Sequence, residues 1–371
     1  FILLMPAHDE EMLIGYTLDK MRTLDYPPEA YEVVVVADNC RDSTARIARE
    51  AGVTVLERSD AVKRGKGQAL DWVMREHFAR WPRAFDGVVV VDADSELNRD
   101  FLWFMSEALV REKRELLQGY YGVQNPTENW RTALLTVSLA VFHFLRPLGR
   151  QRLGLPCGIK GNGMCFSRRL VTLYGYPAFS RVEDVELALF YLLRGIGAYF
   201  VAGAQVYGQM AASSVEAESQ RQRWEGGRLD LIRRWMPVLL KTGFRRRDGA
   251  LVDGVMDLLI PPFVLIVGLT LLPLCFIGVS GLITGFSPVT IWAACAGGAA
   301  LVFEGVYVLS GLILTRAPVR VWGYVFSAPA FMLWKVLVYI RMFMKGGDQQ
   351  WIRTARHRVK GQHESKSGED D

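Results

Sequence analysis

The sequence predicts an α/β chain: a parallel sheet covered on both faces, followed by interface helices and a small α-helical membrane part. Three observations carry this. Short β-branched runs, clearest at Val33-Val34-Val35-Val36 and Val88-Val89-Val90-Val91, alternate with stretches of helical character, the pattern of βαβ units. Acidic residues stand where those runs end, at Asp38 and at Asp92-Ala93-Asp94. From residue 258 to 314 the only ionisable side chain apart from Tyr and Cys is Glu304, a window far longer than the roughly 20 residues of one bilayer crossing.

At 371 residues the chain has room for about two domains. Half of its residues are hydrophobic and its mean hydropathy is slightly positive, high for a soluble enzyme. The net charge is +5, with basic clusters at Arg233-Arg234, Arg245-Arg246-Arg247 and residues 353–360. These flank the apolar segments, as positive-inside topology and contact with anionic membrane lipids require. The same placement argues against nucleic acid as a partner. The five cysteines form no Cys-x-x-Cys pair, which fits reduced thiols in a cytosolic domain. The chain opens inside an apolar run without an initiator Met, so residues upstream of Phe1 are expected.

Residues 1–5 read as a buried strand ending at Pro6, and His8-Asp9-Glu10-Glu11 as the acidic first turn of a helix running to about residue 24. Residues 33–36 form a central strand, and the polar loop 38–44 enters a helix through Ala45 and Ala48. A strand at 53–56 precedes the basic glycine loop Lys63-Arg64-Gly65-Lys66-Gly67 and a helix over 69–78. The Val88–Val91 run is the next buried strand. A helix at 101–111, a strand at 116–121 and a helix at 133–145 follow. The glycine loop 158–163 leads into a strand at 164–166, Glu183-Asp184 opens a helix to about 194, and 199–207 is a strand. A polar helix then carries Gln220-Arg221-Gln222-Arg223-Trp224. Residues 258–283 and 291–314 are each long enough to span. Residues 321–344 are apolar but hold Pro329, Lys335 and Arg341 among aromatics, the profile of a helix lying in the interface. Two spans return the chain to the cytoplasm and leave the basic tail inside; three would put it outside.

Ligands of such sheets sit beyond the carboxyl ends of the strands, so chain topology brings Asp38, Asp92 and Asp94 towards one crevice. A hard divalent cation takes oxygen ligands and bridges carboxylate to phosphate, though an acidic turn capping a helix would read the same. Lys63, Arg64 and Lys66 suit a phosphate at a helix N-terminus, or are simply solvated. Neither a Walker loop nor a dinucleotide fingerprint is present. Glu183-Asp184 places a candidate general base at a helix start, where helix-dipole compensation is the plainer alternative. The five histidines show no metal-ligand spacing.

Taken in order, the strand end Met5-Pro6-Ala7-His8-Asp9-Glu10, the end Val36-Ala37-Asp38, Asp92-Ala93-Asp94, Glu183-Asp184 and Gln220-x-x-Arg223-Trp224 resemble the membrane-embedded family 2 glycosyltransferases. That group includes the cellulose, chitin and hyaluronan synthases and ceramide glucosyltransferase. The resemblance covers about residues 1–360 and implies a GT-A-like nucleotide-sugar domain. It implies that Ala7, Glu10 and Asp38 hold the nucleoside of a sugar nucleotide, most often uridine. Lys66 and Arg223 would meet the diphosphate, Asp92 the nucleotide side, and Asp94 a Mg²⁺ or Mn²⁺ ion. Asp184 would be the general base. Gly161, Asn162, Gly163, Glu183, Gln220 and Trp224 would line the acceptor side, with Trp224 beneath the accepting sugar. Trp351-Ile352-Arg353-Thr354-Ala355-Arg356 resembles the gating loop of cellulose synthase, so Trp351, Thr354 and Arg356 would close over the donor. Val182 replaces the family's Thr before Glu-Asp, and Asn39 stands where many members have a second Asp.

The resemblance implies a metal-dependent inverting transferase, with its catalytic domain in the cytoplasm on a bacterial inner membrane. Its partners would be a nucleotide-sugar donor, a lipid or saccharide acceptor and membrane lipids, with a homo-oligomer possible. The expected division is a catalytic domain at 1–212, an interface region at 213–250, two spans at 251–315, an interfacial or third membrane helix at 316–345 and a gating-type loop with a polar tail at 346–371. The tail after Gly361 is expected to be disordered. A processive synthase acting as an oligomer or with a partner pore, and a non-catalytic nucleotide-sugar-binding scaffold, stand as alternatives. A transporter is disfavoured, because too little of the chain spans.

Overall fold

The computed structural model describes residues 1–210 and 214–327, with the side chains of residues 214–223 and 326 outside the described set. Its centre is an eight-stranded sheet. In chain order the strands are β1 (Ile2–Ala7), β2 (Glu32–Asp38), β3 (Thr54–Arg58), β4 (Gly87–Val90), β5 (Ser95–Leu97), β6 (Leu116–Val123), β7 (Met164–Ser167) and β8 (Tyr199–Gly208), in the spatial order β3-β2-β1-β4-β7-β6-β8-β5. The first four neighbours are mutually parallel. β7 runs antiparallel to both β4 and β6, and β5 antiparallel to β8, so the second half of the sheet is mixed. The parallel half owes its burial to the valine runs: Val34, Val35, Val36, Val88, Val89 and Val90 are all inaccessible to solvent. Burying each such side chain contributes roughly 1.5–3 kcal/mol.

Helices cover both faces. One face packs on α1 (Ile14–Met21), α2 (Thr44–Glu50) and α4 (Phe101–Ser106), through Leu18, Ala48 and Met105. The other packs on α3 (Lys66–Trp72), α7 (Arg168–Tyr174) and α8 (Glu183–Leu192), through Leu70, Leu170 and Tyr191. The strand β5 and the helix α7 have no counterpart in the sequence reading.

The helix expected from His8 begins only at Ile14, and no acid lies in its first turn. Residues 9–11 are instead pinned to the loop after β2. Arg41 N–H donates to Asp9 Oδ1 (2.7 Å), Glu10 N–H to Thr44 Oγ1 (2.7 Å) and Ser43 N–H to Glu11 Oε2 (3.0 Å). Asp9 adopts φ 53°, a left-handed conformation that a helix excludes. The acidic residues thus tie two strand-end loops together.

Beyond β6, Trp130–Arg152 is one continuous apolar helix made of α5 (Trp130–Leu139), a π-helical segment (Ala140–Leu145) and α6 (Arg146–Arg152). The long helix α9 (Ser214–Arg246) follows β8, then α10 (Gly249–Leu259), α11 (Phe263–Thr284), α12 (Pro288–Leu314) and α13 (Val319–Gly323). The first expected span starts late: Pro261 and Pro262 interrupt the chain after Leu259, so α11 begins at Phe263 and α10 is a separate element.

Three described helices are long and apolar enough to cross a membrane: α11, α12 and Trp130–Arg152. The first two are the expected spans. Half of the apolar window of the third is buried inside the protein. Phe144 packs edge-on to Tyr120 of β6, and α12 lies against it, with Gly311 beside Ala140 and Val141. Ions fasten α10 to α6: Arg146 pairs with Asp257, and Arg150 with Asp253 and Asp257. The expected interfacial helix is described only to Ser327, and the gating-type loop lies outside the described residues.

Candidate active site

The strand register gathers the polar ends of β1, β2 and β3 at one edge, where Ala7 pairs with Ala37 and Asp38 with Arg58. Asp38 is buried, and its Oδ1 accepts from Arg58 Nη1 (2.6 Å) and Asn39 Nδ2 (3.0 Å). A buried charge persists only when paired, and Arg58 is buried as well. The same guanidinium donates through Nη2 to Asp60 Oδ2 (3.0 Å) and to the Lys63 carbonyl (2.7 Å). Asp60 in turn accepts from the backbone of Val62 and Lys63. The carboxylate at the end of β2 is thereby wired to the basic glycine loop. Ala7 and Glu10 are buried beside it.

That loop delivers Lys66 as the first residue of α3. Its Nζ donates to Asp92 Oδ1 and to the Gly161 carbonyl (2.5 Å). Burial lowers its pKa, but the Asp92, Glu183 and Asp184 carboxylates outweigh that and hold it above the ordinary lysine value. Next along, Gly67 lets α3 touch the loop between α7 and α8: a Cβ there would lie 2.2 Å from the Ala178 carbonyl oxygen and 3.6 Å from Glu183 Cβ.

The glycine loop before β7 forms the opposite wall. Asn162 is fully buried; its Oδ1 accepts from the Asp92 N–H (3.1 Å), and its Nδ2 donates to Ser95 Oγ (2.8 Å). Gln118 braces the loop, donating to the Asn162 carbonyl (2.8 Å) and accepting from the Lys160 N–H (2.7 Å). Gly161 has φ +79° and abuts Asp184, since a Cβ there would stand 3.3 Å from Asp184 Oδ2. Gly163 has φ +65° and abuts Val206.

Asp184 sits in the first turn of α8. Burial raises its carboxyl pKa, and the Val185 N–H, Lys160 and Lys66 pull it only part of the way back. A carboxylate made more basic by desolvation suits proton abstraction. One connected set therefore joins Lys66, Asp92, Gly161, Asn162 and Asp184, with Glu183 beside it.

Asp94 is half-buried and accepts from Ser95 Oγ at 3.1 Å. A carboxylate oxygen beside a diphosphate is the donor chemistry of a Mg²⁺ or Mn²⁺ site completed by phosphate and water. Among the described residues, three ligating side chains come within mutual reach at Asp9, Cys40 and Asp42 rather than at Asp94. That trio belongs to the ties between the two strand-end loops: Asp9 and Asp42 accept from backbone N–H groups, and burial pushes the Cys40 thiol up to about 11.

Trp224, partly buried, packs with Val182, Leu189, Leu231 and Val255, beneath the start of α8. The side chains of Gln220 and Arg223, and all of Trp351, Thr354 and Arg356, lie outside the described residues. Three functional candidates escape the sequence reading. Arg58 is signalled only by a charge at the end of a strand, Lys160 only by a base between glycines, and Gln118 by a polar residue inside an apolar strand.

A family model described as "Glycosyltransferase like family 2" matches residues 1–227. A probable glycosyltransferase of Bacillus subtilis, YdaM, is 25% identical over 251 residues, covering 66% of this chain and 58% of that protein. The beta-monoglucosyldiacylglycerol synthase of a Nostoc species is 26% identical over 272 residues, covering 70% of this chain and 56% of that protein. The chain thus spans somewhat over half the length of these curated relatives. Among solved structures, a mannosyltransferase from Pyrobaculum calidifontis in complex with GDP-Man and Mn²⁺ is 19% identical, with a TM-score of 0.47, covering 90% of this chain and 87% of that one.

Proposed function

The chain belongs to the family 2 glycosyltransferases, and from that premise we propose that it transfers a sugar from a nucleoside diphosphate to a hydroxyl of a membrane-held acceptor. Uridine diphosphate is the favoured carrier and a lipid the favoured acceptor, the latter supported by the diacylglycerol named in the Nostoc relative. The observation that carries the reading is the connected set Lys66–Asp92–Gly161–Asp184. It brings together a cation suited to a diphosphate and a carboxylate whose basicity burial raises.

In this reading Asp184 takes the proton of the acceptor hydroxyl as its oxygen bonds to the anomeric carbon. The bond from that carbon to the diphosphate breaks on the far side, and its electron pair leaves with the diphosphate. Attack opposite the leaving group inverts the centre, giving a β-linkage from an α-linked donor. Lys66 and Arg223 receive the developing charge. A divalent cation held by Asp94 and the diphosphate, Mg²⁺ or Mn²⁺, would supply further neutralisation. Ala7, Glu10, Asp38 and Asp92 hold the nucleoside side, and Trp351, Thr354 and Arg356 close over it. Gly161, Asn162, Gly163, Glu183, Gln220 and Trp224 form the acceptor side. The catalytic domain at 1–212 lies in the cytoplasm, with 213–250 at the interface and the apolar helices in the bilayer.

The test is a panel of nucleotide sugars offered to the full chain in lipid nanodiscs, with products read by mass spectrometry and anomeric coupling by NMR. One β-linked sugar per lipid is expected. A ladder of additions points to processive synthesis, and nucleotide binding without sugar transfer overturns the reading.

A further inference from the structure

Arg146, Arg150, Lys160, Asp253 and Asp257 meet where the catalytic cleft reaches the apolar helices. The two acids and two arginines satisfy one another. Arg146 and Arg150 share Asp257, and Arg150 also holds Asp253. Lys160 is the third cation, and the Asp184 carboxylate is the further acid whose charge acts on it. Its backbone is fixed by Gln118, yet among the described residues its ammonium makes no ion pair. It lies over the Phe142 ring at 5.3 Å and close to Gly158. Burial depresses its pKa, an effect that Asp257 and Asp184 oppose and Arg146 reinforces. Half-buried and in direct contact with no carboxylate among the described residues, the ammonium keeps N–H donors available to an incoming anion.

The position says where that anion comes from. Lys160 directly precedes Gly161, which abuts the Asp184 carboxylate. Phe142 belongs to the apolar helix Trp130–Arg152, and Asp257 lies in the last turn of α10, just before the apolar helix α11. The cation therefore stands between the proposed base and the membrane helices, on the side from which a lipid acceptor would enter. The geometry points to Lys160 as the recognition point for a phosphate on the acceptor, making the favoured acceptor an anionic phospholipid with a free headgroup hydroxyl rather than neutral diacylglycerol. This rests on the transferase reading above and changes its acceptor: a lipid remains, but the diacylglycerol in the Nostoc relative's name gives way to a phospholipid because of the charge at Lys160.

The test compares phosphatidylglycerol with diacylglycerol as acceptors for the full chain, using wild type, Lys160→Gln and Lys160→Arg. Losing one charge-assisted contact should lower the ratio of kcat/KM for phosphatidylglycerol over diacylglycerol by about 10- to 100-fold in Lys160→Gln, through KM. Lys160→Arg should keep most of the ratio. Any change in Asp184 basicity acts on both acceptors and cancels in it. An unchanged ratio overturns the proposal. A separate arm measures binding of short-chain phosphatidylglycerol without donor, with inorganic phosphate as competitor. Weaker binding by Lys160→Gln supports the proposal even if neither lipid is glycosylated, an outcome that would count against the transferase reading alone. Equal binding by wild type and variant overturns it, and tight binding of inorganic phosphate alone would replace the lipid with a free anion.

Discussion

Asp184 shows how one residue can be set against its own fold. Its carboxyl is raised by burial, so the folded state disfavours the ionised form that a base needs. The cost of ionisation grows as pH rises through the ordinary carboxylate value of about 4. Below that pH the side chain is protonated both folded and unfolded, and the cost vanishes. Asp184→Asn is therefore expected to melt higher than wild type at pH 7, by about 2–4 °C per kcal/mol relieved. The gap should close as the pH falls below about 4. Thermal unfolding at both pH values checks this; a variant less stable at pH 7 would mean the carboxylate is net stabilising. The place of Asp184 at a helix start was legible because it follows Glu183 within an ordered series of motifs. Arg58 and Lys160 were not: their meaning depends on the β2–β3 register and on which acids the arginines already occupy, and neither is written in local sequence.

Among the elements, those framed by strand ends were the legible ones. Valine runs mark strands because burial on both faces demands them, and the acids after them fall at the sheet's edge. The stretch after β1 misled, because Asp9, Glu10 and Glu11 look like a helix start but serve as ties to the neighbouring loop. Helix α3 depends on a contact that no periodicity reveals, the approach of Gly67 to the Ala178 carbonyl. Gly67→Ala should push α3 outward, cost about 1–3 kcal/mol and raise the donor KM about tenfold by displacing Lys66. Gly149→Ala is the control, as a Cβ there meets nothing within 4 Å, and it should be neutral or slightly stabilising. Donor titrations and melting curves of the pair decide it; equal behaviour would mean that α3 does not depend on this contact.

At the scale of the whole molecule, the apolar window 258–314 announced a membrane part, and α11 and α12 fill it. The helix Trp130–Arg152 was less legible: it has the length and apolarity to span, yet half of its window is buried against the protein. Apolar periodicity alone does not distinguish a face turned to lipid from one turned to protein. Through α12 and α10 this helix joins the sheet to the apolar helices, the side from which the proposed reading brings a membrane acceptor to Asp184. The most direct measurement is nucleoside diphosphate release by the full chain with a nucleotide-sugar donor and lipid acceptor, compared with Asp184→Asn. Release should fall by about 10²–10⁴-fold in the variant while donor affinity is retained; near wild-type release by Asp184→Asn would contradict the account.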